Sequence, residues 1–135
     1  MRDGEATIYH LVIESELHAG TSGDLYHPAN LAADGFVHCC QQASVVPVSN
    51  DYYAEVAERL LLLEIDPVKL SSQVRFEVAA PIAGGGTAHL ESAPLFPHVY
   101  GPIDLSAIVG VGVLGRTADS YAWPDSFGPL DSFPS

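Results

Sequence analysis

The sequence predicts a single small α+β domain, and three observations lead there. With 135 residues the chain is most simply one domain, long enough to bury roughly two-thirds of the surface that its unfolded form exposes. Strand-like and helix-like stretches mix without a regular strand–helix–strand rhythm. No segment repeats elsewhere in the chain. We expect the domain to occupy residues 1–115. Residues 116–135 should form an aromatic and proline-rich C-terminal extension that packs on the domain or on a neighbour, the second case being a route to an oligomer.

Taken in order, residues 7–13 combine β-branched and aromatic types and read as a strand with His10 near its middle. Residues 14–19 suit a short helix ended by Gly20, with a turn at residues 21–24 and an extended piece at Leu25-Tyr26. Pro28 stands at a plausible first helical position, and Gly35 stops that helix. Residues 36–39 form a brief apolar strand. Pro47 lacks a backbone donor, so the main helix is expected to begin near Ser49-Asn50 and to carry Tyr52, Tyr53, Val56 and Leu60 at helical spacing.

Residues 60–66 are the strongest candidate for a central strand, closed by Asp66-Pro67 and a single turn over residues 67–70. Residues 73–80 alternate Val74, Phe76 and Val78 against Gln73, Arg75, Glu77 and Ala79, which predicts a half-buried strand with its charges on one face. Gly84-Gly85-Gly86 reads as a mobile loop, and His89-Leu90-Glu91 restarts extended structure. Phe96-Pro97-His98-Val99-Tyr100-Gly101-Pro102 is stiffened by two prolines and carries polar side-chain tips, which suits a site. A helical turn at residues 104–107 and a glycine-interrupted strand at residues 108–114 complete the domain.

Charge excludes more than it suggests. Five Lys and Arg stand against seventeen Asp and Glu, a formal net charge of −12. Nucleic-acid binding draws its affinity from clustered cations, and Arg2, Arg59, Lys69, Arg75 and Arg116 are scattered, so neither a nucleic acid nor an anionic membrane is expected as a partner. The longest apolar run is Leu60-Leu61-Leu62-Leu63, far short of the roughly 20 residues that span a bilayer. Arg2-Asp3-Gly4-Glu5 leads into a strand pattern and not an apolar signal, so a cytoplasmic location is expected. Cys39 and Cys40 are neighbours and read as reduced, buried thiols.

His10, His38 and His98 each sit in apolar surroundings. An imidazole buried without a partner costs on the order of 1–3 kcal/mol, and three of them would consume much of a stability of roughly 5–15 kcal/mol. We expect them to meet around one cleft, against the plainer alternative of separate local roles. In such a cleft histidine supplies a general acid or base, while Tyr9 and Tyr100 supply hydroxyls and flat faces for a planar ring. Glu77, beside Arg75, is the carboxylate best suited to a sugar hydroxyl, its plainer reading being a solvated strand residue. The same histidines could serve zinc, but no HxH or HxxxH spacing pins two ligands to one element.

Ile8-Tyr9-His10, the run from Leu31 through Gly35-Phe36-Val37-His38-Cys39, Leu61 through Asp66-Pro67, Val74-Arg75-Phe76-Glu77 and Phe96 through Pro102 occur in an order that resembles the bacterial domain-of-unknown-function 952 family. The match runs from about Ile8 to Leu114. That family looks related in fold to ADP-ribosyltransferases and RNA 2′-phosphotransferases, so the resemblance implies a split β-sandwich with short flanking helices and a cleft for NAD. It further implies that His10 orients a ribose, that His38 is a polar or acid/base group, and that His98 and Tyr100 wall the cleft with Phe36, Arg75 and Gly101 among the ligand-binding positions. Glu77 is then the carboxylate to stabilise an oxocarbenium-like state. Where the phosphotransferases commonly have a serine after the His-x pair, this chain has Cys40, then Gln41 and Gln42. The expected function is NAD or nucleotide binding with ADP-ribosyl transfer or NAD cleavage, NAD being a substrate. The alternative is a non-catalytic binding or interaction module on the same scaffold.

Overall fold

The structure, a computed structural model, describes residues 7–78, 95–117 and 120–130. The first strand, β1 (Ile8–Ile13), runs directly into α1 (Glu14–Gly20), a helix with acidic residues in its first turn and one buried side chain, Leu17. Two short strands follow, β2 (Thr21–Ser22) and β3 (Leu25–Tyr26). The next helix, α2 (Leu31–Asp34), ends at Gly35, whose φ of 84° is the left-handed conformation that glycine adopts without a Cβ penalty. Then come β4 (Val37–His38), α3 (Gln42–Tyr52), β5 (Leu60–Ile65) and a 3₁₀ turn at Pro67–Lys69. The order closes with β6 (Gln73–Val78), β7 (Leu95–Tyr100), β8 (Ile103–Asp104), a 3₁₀ turn at Leu105–Ala107, β9 (Ile108–Val113), β10 (Gly115–Arg116), β11 (Tyr121–Ala122) and β12 (Phe127–Gly128). This is the expected α+β mixture.

A four-stranded sheet in the order β1-β5-β9-β12 holds the centre, and β4-β7-β6 form a second, three-stranded sheet. The ladders within both are antiparallel. Successive strand residues point to opposite faces, so β1 and β5 each feed two cores. Ile8 and Val12 join Leu61, Leu63 and Ile65 in one cluster, while Tyr9 and Leu11 join Leu60 and Leu62 in the other. The two sheets meet where Tyr9 and Cys40 exchange backbone hydrogen bonds of 2.9 and 2.6 Å, just beyond β4.

Three local expectations need correction. Pro28 precedes α2 instead of opening it, and α2 starts at Leu31. Pro47 lies inside α3, which ends close to where the main helix was expected to begin. The helix tolerates the missing donor because its inward face is anchored by Val45 and Ser49, both wholly buried, and Ser49 Oγ donates to the Val45 carbonyl at 2.8 Å. Asn50 is correspondingly no cap: its side-chain oxygen accepts the Tyr121 N–H at 2.7 Å. In β6, an edge strand, Val74 is half-buried but Phe76 is 50 % and Val78 38 % exposed, so the apolar side of the alternation faces the core only at one end. The far end of that alternation at Ala79, the Gly84-Gly85-Gly86 loop and the His89-Leu90-Glu91 strand lie outside the described residues.

The extension lies along the domain as far as it is described. β12 lengthens the central sheet beside β9, and Trp123 meets the Tyr9 ring edge-on at 5.3 Å. Arg116 donates to the Ala54 and Val56 carbonyls and, at 2.7 Å, to the Tyr121 hydroxyl, which itself donates to the Tyr53 carbonyl at 2.8 Å. The end of α3 is thereby held by groups from the tail.

Gly20 joins α1 to the hairpin that carries Tyr26. A Cβ there would lie 2.5 Å from the His27 carbonyl oxygen and 2.9 Å from Tyr26 Cε1. We expect Gly20→Ala to lower stability by about 1–3 kcal/mol through overpacking. Urea unfolding measures it, and an unchanged midpoint would mean that the His27 backbone gives way freely.

Candidate functional site

His10 shares a face of β1 with Ile8 and Val12, and its ring is buried. Its Nδ1 lies 2.8 Å from the His38 carbonyl oxygen and its Nε2 3.2 Å from the Tyr26 hydroxyl. A carbonyl oxygen can only accept, so Nδ1 carries the proton and Nε2 accepts from Tyr26. Burial pushes the His10 pKa down to about 4, a shift that the His38 ring's charge reinforces and the bond to the His38 carbonyl opposes. At neutral pH this imidazole is a fixed, uncharged acceptor.

The other two histidines face each other across a ladder. His38 pairs with His98 in register, with ring centroids 5.8 Å apart, while Val37 and Val99 point from the same strands into the core. Each ring is tied to a carboxylate. His38 Nε2 donates to Asp34 Oδ2 at 2.8 Å across one turn of chain, and His98 Nδ1 donates to Glu77 Oε1 at 2.7 Å. Glu77 Oε1 also accepts from the Tyr100 hydroxyl at 2.6 Å. The bonds from Tyr100 and from His98 hold the Glu77 carboxyl below its ordinary range, and the same carboxylate pushes the Tyr100 phenol up. Phe36 covers this group, stacked on His98 with centroids 4.1 Å apart.

A cavity of about 480 Å³ opens between the elements that carry these rings, within the usual range for small-molecule sites. His10, His38 and His98 all line it, together with Tyr26, Asn30 and Glu16. The cleft shared by the three imidazoles is therefore present. Its wall from α3 and β7 is aromatic: Tyr52, Tyr53 and Phe96 line it too, and Tyr52 stands 57 % exposed at the rim. Among the described residues no Lys or Arg lines the cavity, and Glu16 is the one carboxylate that does.

Several residues singled out in the sequence lie elsewhere. Tyr9 points to the opposite face of β1, against Trp123, because it neighbours His10 along a strand. Glu77 and Tyr100 stand behind His98, and Phe36 lies behind both His98 and His38, so none of the three lines the cavity itself. Arg75 lies over the Tyr100 ring, 5.2 Å from its centroid. Gly101, at a φ of 153°, makes the turn beyond β7, where a Cβ would strike the Ser72 hydroxyl. For zinc, both His10 nitrogens are already engaged, and among the described residues no group of three His, Cys, Asp or Glu is placed to hold a metal ion. Cys39 and Cys40 are buried free thiols, Cys40 being pushed by desolvation up to about 12, so both stay protonated.

Sequence reasoning missed Glu16, Tyr26, Asn30, Tyr52 and Tyr53 as lining residues. Tyr52 and Tyr53 read as apolar positions inside a helix, but α3 ends at Tyr52, which leaves that ring exposed at the rim. Glu16 carried no signal, because an acidic residue in a first helical turn is ordinary.

The family model described as Protein of unknown function (DUF952) matches residues 12–111. Among curated proteins no match is found. Two crystal structures of protein CC0527 from Caulobacter crescentus are similar: the protein itself, at 20 % identity, and a double mutant, at 19 %. Each superposition covers 95 % of this chain and 98 % of that one with a TM-score of 0.68. The solution NMR structure of CC0527 gives 21 % identity, 88 % and 91 % coverage and a TM-score of 0.57. The likeness is one of fold.

The buried His10 makes stability depend on pH in a definite sense. Unfolded, the imidazole titrates near 6.5; folded, near 4. Between these values the unfolded chain binds the extra proton, so the contribution is full above pH 6.5 and is lost as pH falls towards 4, on the order of 3 kcal/mol in total. Urea unfolding across that window should show the loss, and His10→Gln should remove this component of the slope. Equal slopes in the two proteins would assign the loss to other groups.

Proposed function

The chain belongs to the DUF952 family, and from that premise we propose that its cleft binds a ribosylated nucleotide of the NAD type on an ADP-ribosyltransferase-like scaffold. The observation that carries this reading is His10, a neutral imidazole with a defined tautomer, paired with the Tyr26 hydroxyl at the cavity wall. With its own proton given to His10 Nε2, the Tyr26 hydroxyl keeps its oxygen lone pairs for a proton from a sugar hydroxyl, and His10 fixes its orientation. The flat faces of Tyr52, Tyr53 and Phe96 suit a planar heterocycle attached to that sugar. The four-stranded and three-stranded sheets, joined at Tyr9 and Cys40, agree with a split sandwich.

The chemistry that fits is cleavage of the bond between the ribose C1′ and the pyridinium nitrogen. The bonding pair leaves with the nitrogen as neutral nicotinamide, water adds its oxygen to C1′, and a proton is released. His38 and His98, each tied to a carboxylate, stand at the cavity to take that proton. Glu77 acts at one remove, orienting His98 through Nδ1. That remove favours a second reading, a non-catalytic module that holds the nucleotide without cleaving it.

Calorimetric titration with NAD and an assay for released nicotinamide separate these outcomes. Binding should saturate, and His10→Ala, which releases the Tyr26 hydroxyl from its fixed orientation, should weaken it about tenfold. Release that disappears in His10→Ala supports the enzyme; saturable binding without release supports the module. No binding of NAD overturns the nucleotide reading.

A further inference from the structure

The residues that line the cavity carry an unpaired negative charge beside aromatic faces. Glu16 makes no hydrogen bond or ion pair among the described residues, whereas Glu14, on the same helix, is taken up by Arg59 at 2.9 Å. Glu16, Tyr26 and Tyr53 line the same cavity, and after burial the charge of Glu16 is the next influence that raises the two phenols. His10 is neutral, and no Lys or Arg among the described residues answers Glu16 from the wall. The protein as a whole carries a formal charge of −12.

From this arrangement we infer that the cavity selects a planar heteroaromatic cation, held between the Glu16 carboxylate and the rings of Tyr52, Tyr53 and Phe96. An aromatic face attracts a cation through its quadrupole, and the attraction grows when the pair is shielded from water. Glu16 is exposed at the mouth of the cavity, so its carboxylate adds a charge pairing that solvent weakens. A neutral ring of the same outline gains the stacking and neither of the other terms.

Applied to a dinucleotide, and so resting on the nucleotide reading above, the inference says which half is enclosed. A diphosphate meets Glu16 and no Lys or Arg along the described wall, so it stays towards solvent. The ribosyl pyridinium is the half that enters, with its sugar at the Tyr26 hydroxyl and its ring against Tyr52 and Tyr53. Oxidised nicotinamide is cationic and the reduced ring is not. The cavity therefore discriminates between redox forms without any redox chemistry of its own.

The test compares an oxidised carbocyclic NAD analogue, which resists hydrolysis, with NADH by calorimetry, and N-methylnicotinamidium with nicotinamide by thermal shift. We expect the cationic member of each pair to bind about tenfold more tightly, about 1.4 kcal/mol from the aromatic faces and the exposed carboxylate together. Glu16→Gln should reduce the ratio to about threefold, the share left to the aromatic faces alone. Glu14→Gln, which removes one charge from the same helix outside the cavity, should preserve the ratio. Equal binding of the two redox forms by the unaltered protein overturns the inference and leaves the nucleotide reading standing. Binding of N-methylnicotinamidium that depends on Glu16, with neither dinucleotide bound, overturns the nucleotide reading and supports cation selection. An unchanged ratio in Glu16→Gln also overturns the inference.

Discussion

The hydrogen bond from His10 Nδ1 to the His38 carbonyl ties the central sheet to the three-stranded sheet, and the geometry of the cleft depends on it. Residues 37–40 serve both sheets at once. The His38 side chain stands in register with His98, its backbone oxygen engages His10, and Cys40 bridges to Tyr9 two residues later. Because a carbonyl offers no proton, the same bond sets which nitrogen of His10 is free, and burial then keeps the ring uncharged. Structure and chemical state follow from one contact.

The few basic residues explain the electrostatics of the site. Arg59 is engaged with Glu14, Arg116 with the carbonyls at the end of α3 and with Tyr121, and Arg75 with the Tyr100 ring. Cations are thus used to hold the frame, and the cavity is left to imidazoles, phenols and one carboxylate. Anionic ligands are poorly served by such a wall. The buried polar groups are nevertheless satisfied: among the described residues no buried side-chain nitrogen or oxygen lacks a partner.

The elements were legible where pattern and local chemistry agreed. The run from Leu60 announced a strand covered on both faces and Gly35 announced a helix stop, whereas the two-proline segment around His98, read only as a stiff segment suited to a site, is the central strand of its sheet. Pro97 fits there because its carbonyl still accepts the Cys39 N–H, while the donor it lacks falls beyond the end of β4. Pro47 misled, since the packing of Val45 and Ser49 outweighs a single absent donor. Phe76 and Val78 misled for the opposite reason: alternation assigns residues to a face, but says nothing of whether another layer covers it.

The candidate site divides along the same line. That His10, His38 and His98 needed partners or a cavity follows from residue type and surroundings alone, since desolvation of an imidazole is costly anywhere. Period two likewise separates Tyr9 from His10 before any coordinates are known. Which carboxylate meets the cavity is a different kind of fact. Glu77 and Glu16 are both ordinary in their local sequence, and folding sets one behind His98 and the other on the open wall. That assignment depends on how a short helix, a hairpin and the end of α3 converge, and convergence of distant segments is a property of packing that no local pattern of residues encodes.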